Sequence, residues 1–246
     1  MRKEYTIKSR GLYPPKNGKP FKVSRSQIDR FVECPRCYWL DQRRGIRRPS
    51  MPAFTIHSFV DRLLKTEFDE CRRDRVKHPL MEGSETDWPF NDCRMNDWRM
   101  AQRGVQHLHA PTGLLIAGAI DDVWERDDGL LFVVDYKATA KTDEVNIDAD
   151  WQDCYKRQME VYQWLLRQQN LPISDVGYFL YCNGQNGEAF DHDVRVIFTP
   201  KIIPYAGSDA WIEPTLLDLK RCLDSNEMPD APPDCEYCGY VEARAS

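Results

Sequence analysis

Two aspartates on either side of a turn constrain this chain more than any other feature. Asp121 closes the segment Gly118-Ala119-Ile120-Asp121, and Asp135-Tyr136-Lys137 follows the apolar run Leu130-Leu131-Phe132-Val133-Val134. Between them lies Asp127-Asp128-Gly129, a turn signal. A hairpin centred near Asp128 pairs positions that sum to 256, which sets Asp121 across from Asp135. Cross-strand neighbours of this kind bring two carboxylates close enough to share a divalent cation. Lys137, two residues after Asp135, points to the same strand face, and Asp122 points to the opposite one and is not expected to be a ligand. Two carboxylates and an amine on one face of a twisted hairpin suit metal-dependent phosphodiester hydrolysis.

The triplet alone is a common pattern, and a second copy, Asp218-Leu219-Lys220, shows why context decides. That copy sits in Thr215-Leu216-Leu217-Asp218-Leu219-Lys220-Arg221-Cys222-Leu223, which reads as a helix. Residues two apart on a helix diverge, so Asp218 and Lys220 read as solvated surface charges.

At 246 residues the chain can bury a sizeable core, and 41% hydrophobic with 30% charged residues is ordinary for a globular protein. Its longest apolar stretch, residues 114–120, is far too short to cross a bilayer. The start, Met1-Arg2-Lys3-Glu4-Tyr5, has no secretory apolar segment, so a cytoplasmic protein without membrane association is expected. Nine cysteines in that setting suggest reduced thiols or metal ligands. Net charge is −5, yet residues 1–50 hold fourteen Lys and Arg against four acids. A basic segment beside an acidic body suits a protein that grips phosphates with one region and metals with another.

Residues 1–23, broken by Pro14-Pro15, Gly18 and Pro20, read as a basic extended arm, and residues 24–246 as a single domain. Ser24-Arg25-Ser26-Gln27 is a capping box opening a helix with Ile28, Phe31 and Val32 on one face, stopped by Pro35. A second helix is expected from about Phe54, with Ile56, Phe59, Val60, Leu63, Leu64 and Phe68 apolar. Residues 78–103 lack a period and read as an insertion. Strands are expected at 104–109, 113–125 and 130–138, a strong helix at 150–169, a closing hairpin from 176–182 and 189–199, and a helix at 209–225. This order argues for an α/β fold with a mixed central sheet flanked by helices.

Cys34-Pro35-Arg36-Cys37 and Cys235-Glu236-Tyr237-Cys238 form a second constellation. Each pair has the spacing that lets two thiolates bind one ion or cluster, and together they would join the N- and C-terminal segments. Cys71, Cys93, Cys154, Cys182 and Cys222 read as ordinary buried cysteines.

Taken in order, Cys34, His57, Asp121, Asp135-Tyr136-Lys137, Gln158, Tyr162, Cys235 and Cys238 resemble the RecB-like branch of the PD-(D/E)XK nucleases. That branch includes AddB subunits, exonuclease V and CRISPR-associated RecB-like exonucleases, and the resemblance runs from about Ser24 to Cys238. It implies a restriction-endonuclease-like core and a divalent-metal nuclease, often with a [4Fe-4S] cluster bound by one early and three late cysteines. Here the pattern departs, since no cysteine follows Cys238 in Gly239–Ser246 and Cys37 becomes the natural fourth ligand. Two-plus-two thiolates suit tetrahedral Zn²⁺ at least as well as a cube, and the resemblance tilts the expectation to [4Fe-4S].

Hard Mg²⁺ or Mn²⁺ suits carboxylates, so Asp121 and Asp135 are the expected ligands, and Lys137 would orient or deprotonate water or stabilise the phosphorane. The resemblance adds the Tyr136 carbonyl and His57 as metal ligands, Gln158 as a partner of Lys137 or the scissile phosphate, and Tyr162 as a support or DNA contact. From the residues alone, His57 sits at the edge of an apolar stripe, and Gln158 and Tyr162 share one face of a packed helix. Arg43, Arg44, Arg47 and Arg48 are expected to neutralise phosphates beside the first cysteine pair. The expected function is cleavage of DNA, as single strands or duplex ends, with helicase, CRISPR or recombination proteins as partners. A nucleic-acid-binding accessory protein that keeps the fold without cutting is the rival, and it predicts a broken carboxylate–lysine set. A plain zinc-stabilised interaction protein leaves the hairpin carboxylates unexplained.

Overall fold

The structure, a computed structural model, describes residues 7–16, 18–49, 55–185 and 196–245. A short strand, β1 (Lys22–Ser24), leads into α1 (Arg25–Glu33), whose first turn is closed by the Gln27 side-chain oxygen accepting the Ser24 backbone N–H at 2.7 Å. Pro35 ends α1 and also opens α2 (Pro35–Trp39), because proline at a first helical position forfeits only an N–H that has no partner there. A π-helical turn over Leu40–Arg44 stops at Gly45, where φ is 73° and a Cβ would lie 2.1 Å from the Lys8 carbonyl oxygen. Then follow α3 (Thr55–Asp74), β2 (Trp88–Pro89), α4 (Met95–Trp98), β3 (Val105–His109), β4 (Leu114–Gly118), β5 (Asp122–Glu125) and β6 (Leu131–Thr139). The chain continues through α5 (Asp153–Arg167), β7 (Val176–Gly184), β8 (Phe198–Ala206), α6 (Ile212–Asp224) and α7 (Glu236–Ala245).

These elements form two compact units. The first takes residues 1–52, 106–117 and 210–246. It holds the three-stranded sheet β1-β4-β3, with β1 parallel to β4, and packs α1, α2 and α6 through Ile28, Phe31, Tyr38, Leu216, Leu219 and Leu223. Residues of the expected extended arm bond to it: the Lys8 N–H donates to the Gly45 carbonyl, the Tyr13 N–H donates to the Gln42 carbonyl, and Phe21 is buried. Residues 1–6 and 17 of that arm lie outside the described residues. Val32, expected on the buried face of α1, is exposed, because Ile28 and Phe31 alone meet the core.

The second unit takes residues 53–105 and 118–209 and is built on a five-stranded sheet, β2-β5-β6-β7-β8. Pairing is antiparallel except between β6 and β7, which α5 joins as a parallel crossover. Helix α3 lays Val60, Leu64 and Phe68 on the face of β6 that carries Phe132, Val134 and Tyr136. Helix α5 covers the face of Asp135 and Lys137. With both faces covered, residues 131–137 are buried without a break, so the period-two signal of a half-exposed strand is lost. At Gly177 a Cβ would lie 2.3 Å from the Met159 sulfur, so a larger residue there would displace the Met159 side chain that α5 packs on β7.

Several expectations shift. Residues 113–125 are two strands in different sheets, with a break at residues 119–121. The segment read as an insertion supplies the edge strand β2. The described partner of β7 is Phe198–Ala206, which shares residues 198 and 199 with the expected 189–199 and runs on past it; residues 189–195 lie outside the described residues. Pro200 and Pro204 masked that strand, and as an edge strand it tolerates them. The expected start of α3 at Phe54 lies outside the described residues, and Ile56, Phe59 and Leu63 of its apolar set are about half exposed. Asp218 and Lys220 are on the surface of α6, paired with Arg221 and Asp224. Among the described residues no helix is long and apolar enough to cross a membrane.

Cys93, expected inside, is exposed, whereas Cys182 is buried and its thiol is raised to about 11 by that burial. At pH 8 only about one Cys182 thiol in a thousand is then ionised. Limited alkylation of native protein at pH 8 should label Cys93 first and leave Cys182 unlabelled until denaturant is added. Rapid labelling of Cys182 in the native state, read by peptide mass spectrometry, would contradict this burial.

Candidate active site

The β5–β6 ladder pairs Asp122 with Val134, Val123 with Val133, Trp124 with Phe132 and Glu125 with Leu131. Every pair sums to 256, the register read from the turn. That turn is held by the Gly129 N–H donating to the Arg126 carbonyl at 2.9 Å, with Gly129 at φ 84°. Asp121 lies one residue before β5, and its Oδ2 accepts the Tyr136 backbone N–H at 3.1 Å, which fixes it beside Asp135. Asp135 has no exposed side chain and forms an ion pair with Lys137. Gln158, on the α5 face above, donates Nε2 to Asp135 Oδ1 at 2.7 Å and to the Tyr162 hydroxyl at 3.1 Å. Its Oε1 lies 3.5 Å from Lys137 Nζ, which also stands 4.4 Å from the Tyr155 ring centre. Gln158 and Tyr162 thus act on the site from one helix face, through Asp135 and Lys137.

Helix α3 contributes residues that sequence reasoning missed. His57, Asp61 and Lys65 are spaced by four and share a face. Lys65 Nζ lies 3.0 Å from Asp121 Oδ1 and 2.7 Å from Asp61 Oδ1. His57 Nδ1 accepts the Ala138 N–H at 3.2 Å. The spacing from His57 was the available signal for Asp61 and Lys65. Burial pushes the Asp121 carboxyl up, but Lys65, Lys137 and the Tyr136 N–H outweigh it and hold Asp121 below the usual carboxylate range. Burial, then the neighbouring Asp121, raises Asp61. Burial and the Lys137 ammonium lower His57, favouring a neutral imidazole.

The residue next to Asp121 has a different task. Asp122 faces the opposite side of the hairpin, as expected, and is completely buried. It pairs with Arg72, lies 3.3 Å from Arg99 Nη2 and accepts the Tyr136 hydroxyl at 2.6 Å. Arg99 also donates Nε to the Asp121 backbone carbonyl at 2.9 Å, so the clamp on Asp122 sets the backbone from which Asp121 projects. Upstream, a Cβ at Gly118 would lie 2.7 Å from the Tyr162 ring and 2.9 Å from Leu165, so only glycine admits α5 here.

In the first unit, Cys34, Cys37, Cys235 and Cys238 are brought together and buried. Sulfur–sulfur distances are 3.8 Å for Cys34–Cys238, 3.7 Å for Cys37–Cys235 and 3.6 Å for Cys37–Cys238. Burial raises Cys34 and Cys238, whereas Cys235 is lowered to about 7 against burial by the Cys238 amide and the neighbouring thiols. Of the four arginines expected to meet phosphate, Arg43 bonds Asn226, Arg47 faces Asp41 at 3.5 Å and Arg48 bonds Glu33. Arg43 and Arg44 lie over the Trp39 ring.

These cysteines are the only set of three or more His, Cys, Asp or Glu among the described residues whose ligand atoms all lie within 4.8 Å of one another. His57, Asp121 and Asp135 do not form such a set, since lysine amines now face both carboxylates. The donors at that place, two carboxylates with the Tyr136 backbone carbonyl nearby, are hard oxygens of the kind Mg²⁺ and Mn²⁺ accept.

A mixed sheet flanked by helices, with Asp121 and Asp135-Tyr136-Lys137 at one end of its central hairpin, defines an α/β nuclease-type core. The chain belongs to the PD-(D/E)XK nuclease superfamily, whose profile matches residues 22–243. Structure comparison pairs it with a candidate exonuclease from Eubacterium rectale at a TM-score of 0.44 and 15% identity, over 96% of this chain and 93% of that one. A second solved structure, SSO0001, gives a TM-score of 0.39 and 14% identity over 90% and 84%. No curated protein matches the chain significantly.

Removing the Asp122 carboxylate takes the buried counter-charge from Arg72 and leaves only the half-exposed Asp69 to pair it, a change that costs up to about 3–5 kcal/mol. Asp122→Ala should therefore lose about that much stability in urea unfolding. A loss below about 1 kcal/mol would show that the clamp is not needed.

Proposed function

We propose that this protein is a divalent-metal-dependent deoxyribonuclease of the RecB-like branch of its superfamily. The observation that carries the reading is the convergence of Asp121, Asp135, Lys137 and Gln158 at the end of the β5–β6 hairpin. An accessory protein that had lost cleavage would not need an intact carboxylate–lysine set held by its own glutamine. The basic first fifty residues, fourteen cations against four anions, favour a polyanionic substrate.

Asp121, Asp135 and the Tyr136 carbonyl would hold Mg²⁺ or Mn²⁺. When bound, that ion lowers the pKa of water and neutralises charge developing on the phosphate. Lys137 is held by Asp135, Gln158 and the Tyr155 ring, so its amine is already oriented before substrate arrives. From there it donates hydrogen bonds to the attacking water or a non-bridging phosphate oxygen, where preorganised donors stabilise transition-state charge. Gln158 fixes which Asp135 oxygen stays turned toward α5, and Tyr162 fixes Gln158. His57 is a ligand in this reading only if the metal replaces the Ala138 N–H at Nδ1 or the ring turns.

The test is cleavage of labelled single- and double-stranded DNA with Mg²⁺, Mn²⁺ or EDTA. Wild type should cut only with metal, and Asp121→Ala, Asp135→Ala and Lys137→Ala should each lower the rate by at least about 100-fold while melting cooperatively. Gln158→Ala should lose less, since it acts through its neighbours. Wild-type protein inert with both metals would leave the accessory reading standing, and alanine variants at full rate would show that cleavage does not come from this site.

A further inference from the structure

We infer that the four cysteines hold one tetrahedral zinc ion, and not an iron–sulfur cube. Three sulfur–sulfur distances between the two pairs fall between 3.6 and 3.8 Å. Four thiolates bound to a single zinc at about 2.3 Å stand about 3.8 Å apart at the corners of a tetrahedron. In a [4Fe-4S] cube each thiolate sits on a different iron and points outward, which spaces the sulfurs roughly 6 Å apart. The observed set is too tight for the cube by nearly the width of an atom. It is also too wide for disulfides, whose sulfurs bond at about 2.05 Å.

The backbone resists spreading these sulfurs. Cys34 caps α2 while Cys37 lies inside it, and the Cys37 N–H points to the Cys34 sulfur at 3.4 Å. Cys238 lies in the opening turn of α7, its amide bonded to the Cys235 sulfur. Both pairs thus sit at the starts of helices with all four sulfurs within 4.8 Å of one another. Four thiolates on Zn²⁺ leave two negative charges, and Arg48 answers them. Its Nη2 lies 3.8 Å from the Cys235 sulfur, its side chain is only 16% exposed, and it stacks 4.6 Å from the Tyr237 ring centre. Outer groups of this kind orient thiolate ligands and tune their charge.

Zinc itself has no redox chemistry, so the link from α2 to α7 would not depend on the oxidation state of the metal. Ligand binding there is folding free energy for the first unit. This inference does not rest on nuclease activity and survives if cleavage is never seen.

The experiment uses the full chain, expressed with both iron and zinc supplied and purified anaerobically with reductant. Elemental analysis and acid-labile sulfide are measured, with visible absorbance. The expected result is one zinc per chain, no sulfide and a colourless protein whose zinc content survives exposure to air. Exchange with Co²⁺ should give the intense ligand-field bands of a tetrahedral thiolate site, and chelation should lower Tm in a way that Zn²⁺ reverses. Iron and sulfide at about four each per chain, one iron in place of zinc, or no stoichiometric metal would each overturn the assignment. Because every readout is on wild-type protein, a cysteine variant that fails to fold does not decide the matter.

Discussion

A carboxylate with no solvent exposure, Asp122, organises the nuclease-type unit. Alone in that position it would be ruinous, because a buried charge costs several kcal/mol unless paired and fully hydrogen-bonded. Arg72, Arg99 and the Tyr136 hydroxyl supply the pairing from α3, from the loop after α4 and from β6. Three separate stretches of chain must therefore be in place before Asp122 can be buried. Arg72 and Arg99 are each committed further, Arg72 to the Phe90 carbonyl at 2.7 Å and Arg99 to Asp69. The clamp thus converts the energetic danger of one charge into a fixed origin for β5.

What that origin fixes is a division of labour across β6. Its even-numbered side chains, Phe132, Val134 and Tyr136, build the apolar core with α3, where Phe68 stacks on Trp124 at 5.2 Å. Its odd-numbered side chains near the end, Asp135 and Lys137, carry the candidate chemistry beneath α5. Tyr136 belongs to both halves: its ring is in the core, its hydroxyl closes the clamp, and its backbone N–H holds Asp121. Stability and site geometry are therefore two readouts of the same strand.

The hairpin was legible in the sequence because a turn with glycine at a left-handed position and a β-branched run fix register by local chemistry. The cysteine pairs were legible for a similar reason, since spacing of two is a local signal. Less local features were hidden. Pro200 and Pro204 argued against a strand that is permitted only because it lies at an edge. The stripe on α3 was broader than the face that is buried, so Ile56, Phe59 and Leu63 read as core and are not. Lys65 and Asp61 are an i,i+4 pair on one helix, and only the tertiary placement of Asp121 ties them to the site. The break between β4 and β5 depends on which sheet each strand joins, a choice that apolarity alone does not encode.

Asp121 and Asp122 are chemically identical neighbours, and this has a consequence for how the hairpin distinguishes right from wrong. A slip of one residue toward the start of the chain would not empty the site of its carboxylate; it would put Asp122 there and bring Val123 to the clamp. Against that slip the reacting face cannot police its own register, since it is still offered an acid. Discrimination falls to the other side of the sheet, where Val123 in place of Asp122 would take the buried anion from the Arg72 guanidinium, only 6% exposed, and leave it the half-exposed Asp69 alone. The fidelity of the candidate site is in effect proofread from the far face of the strand, by residues that touch none of its chemistry.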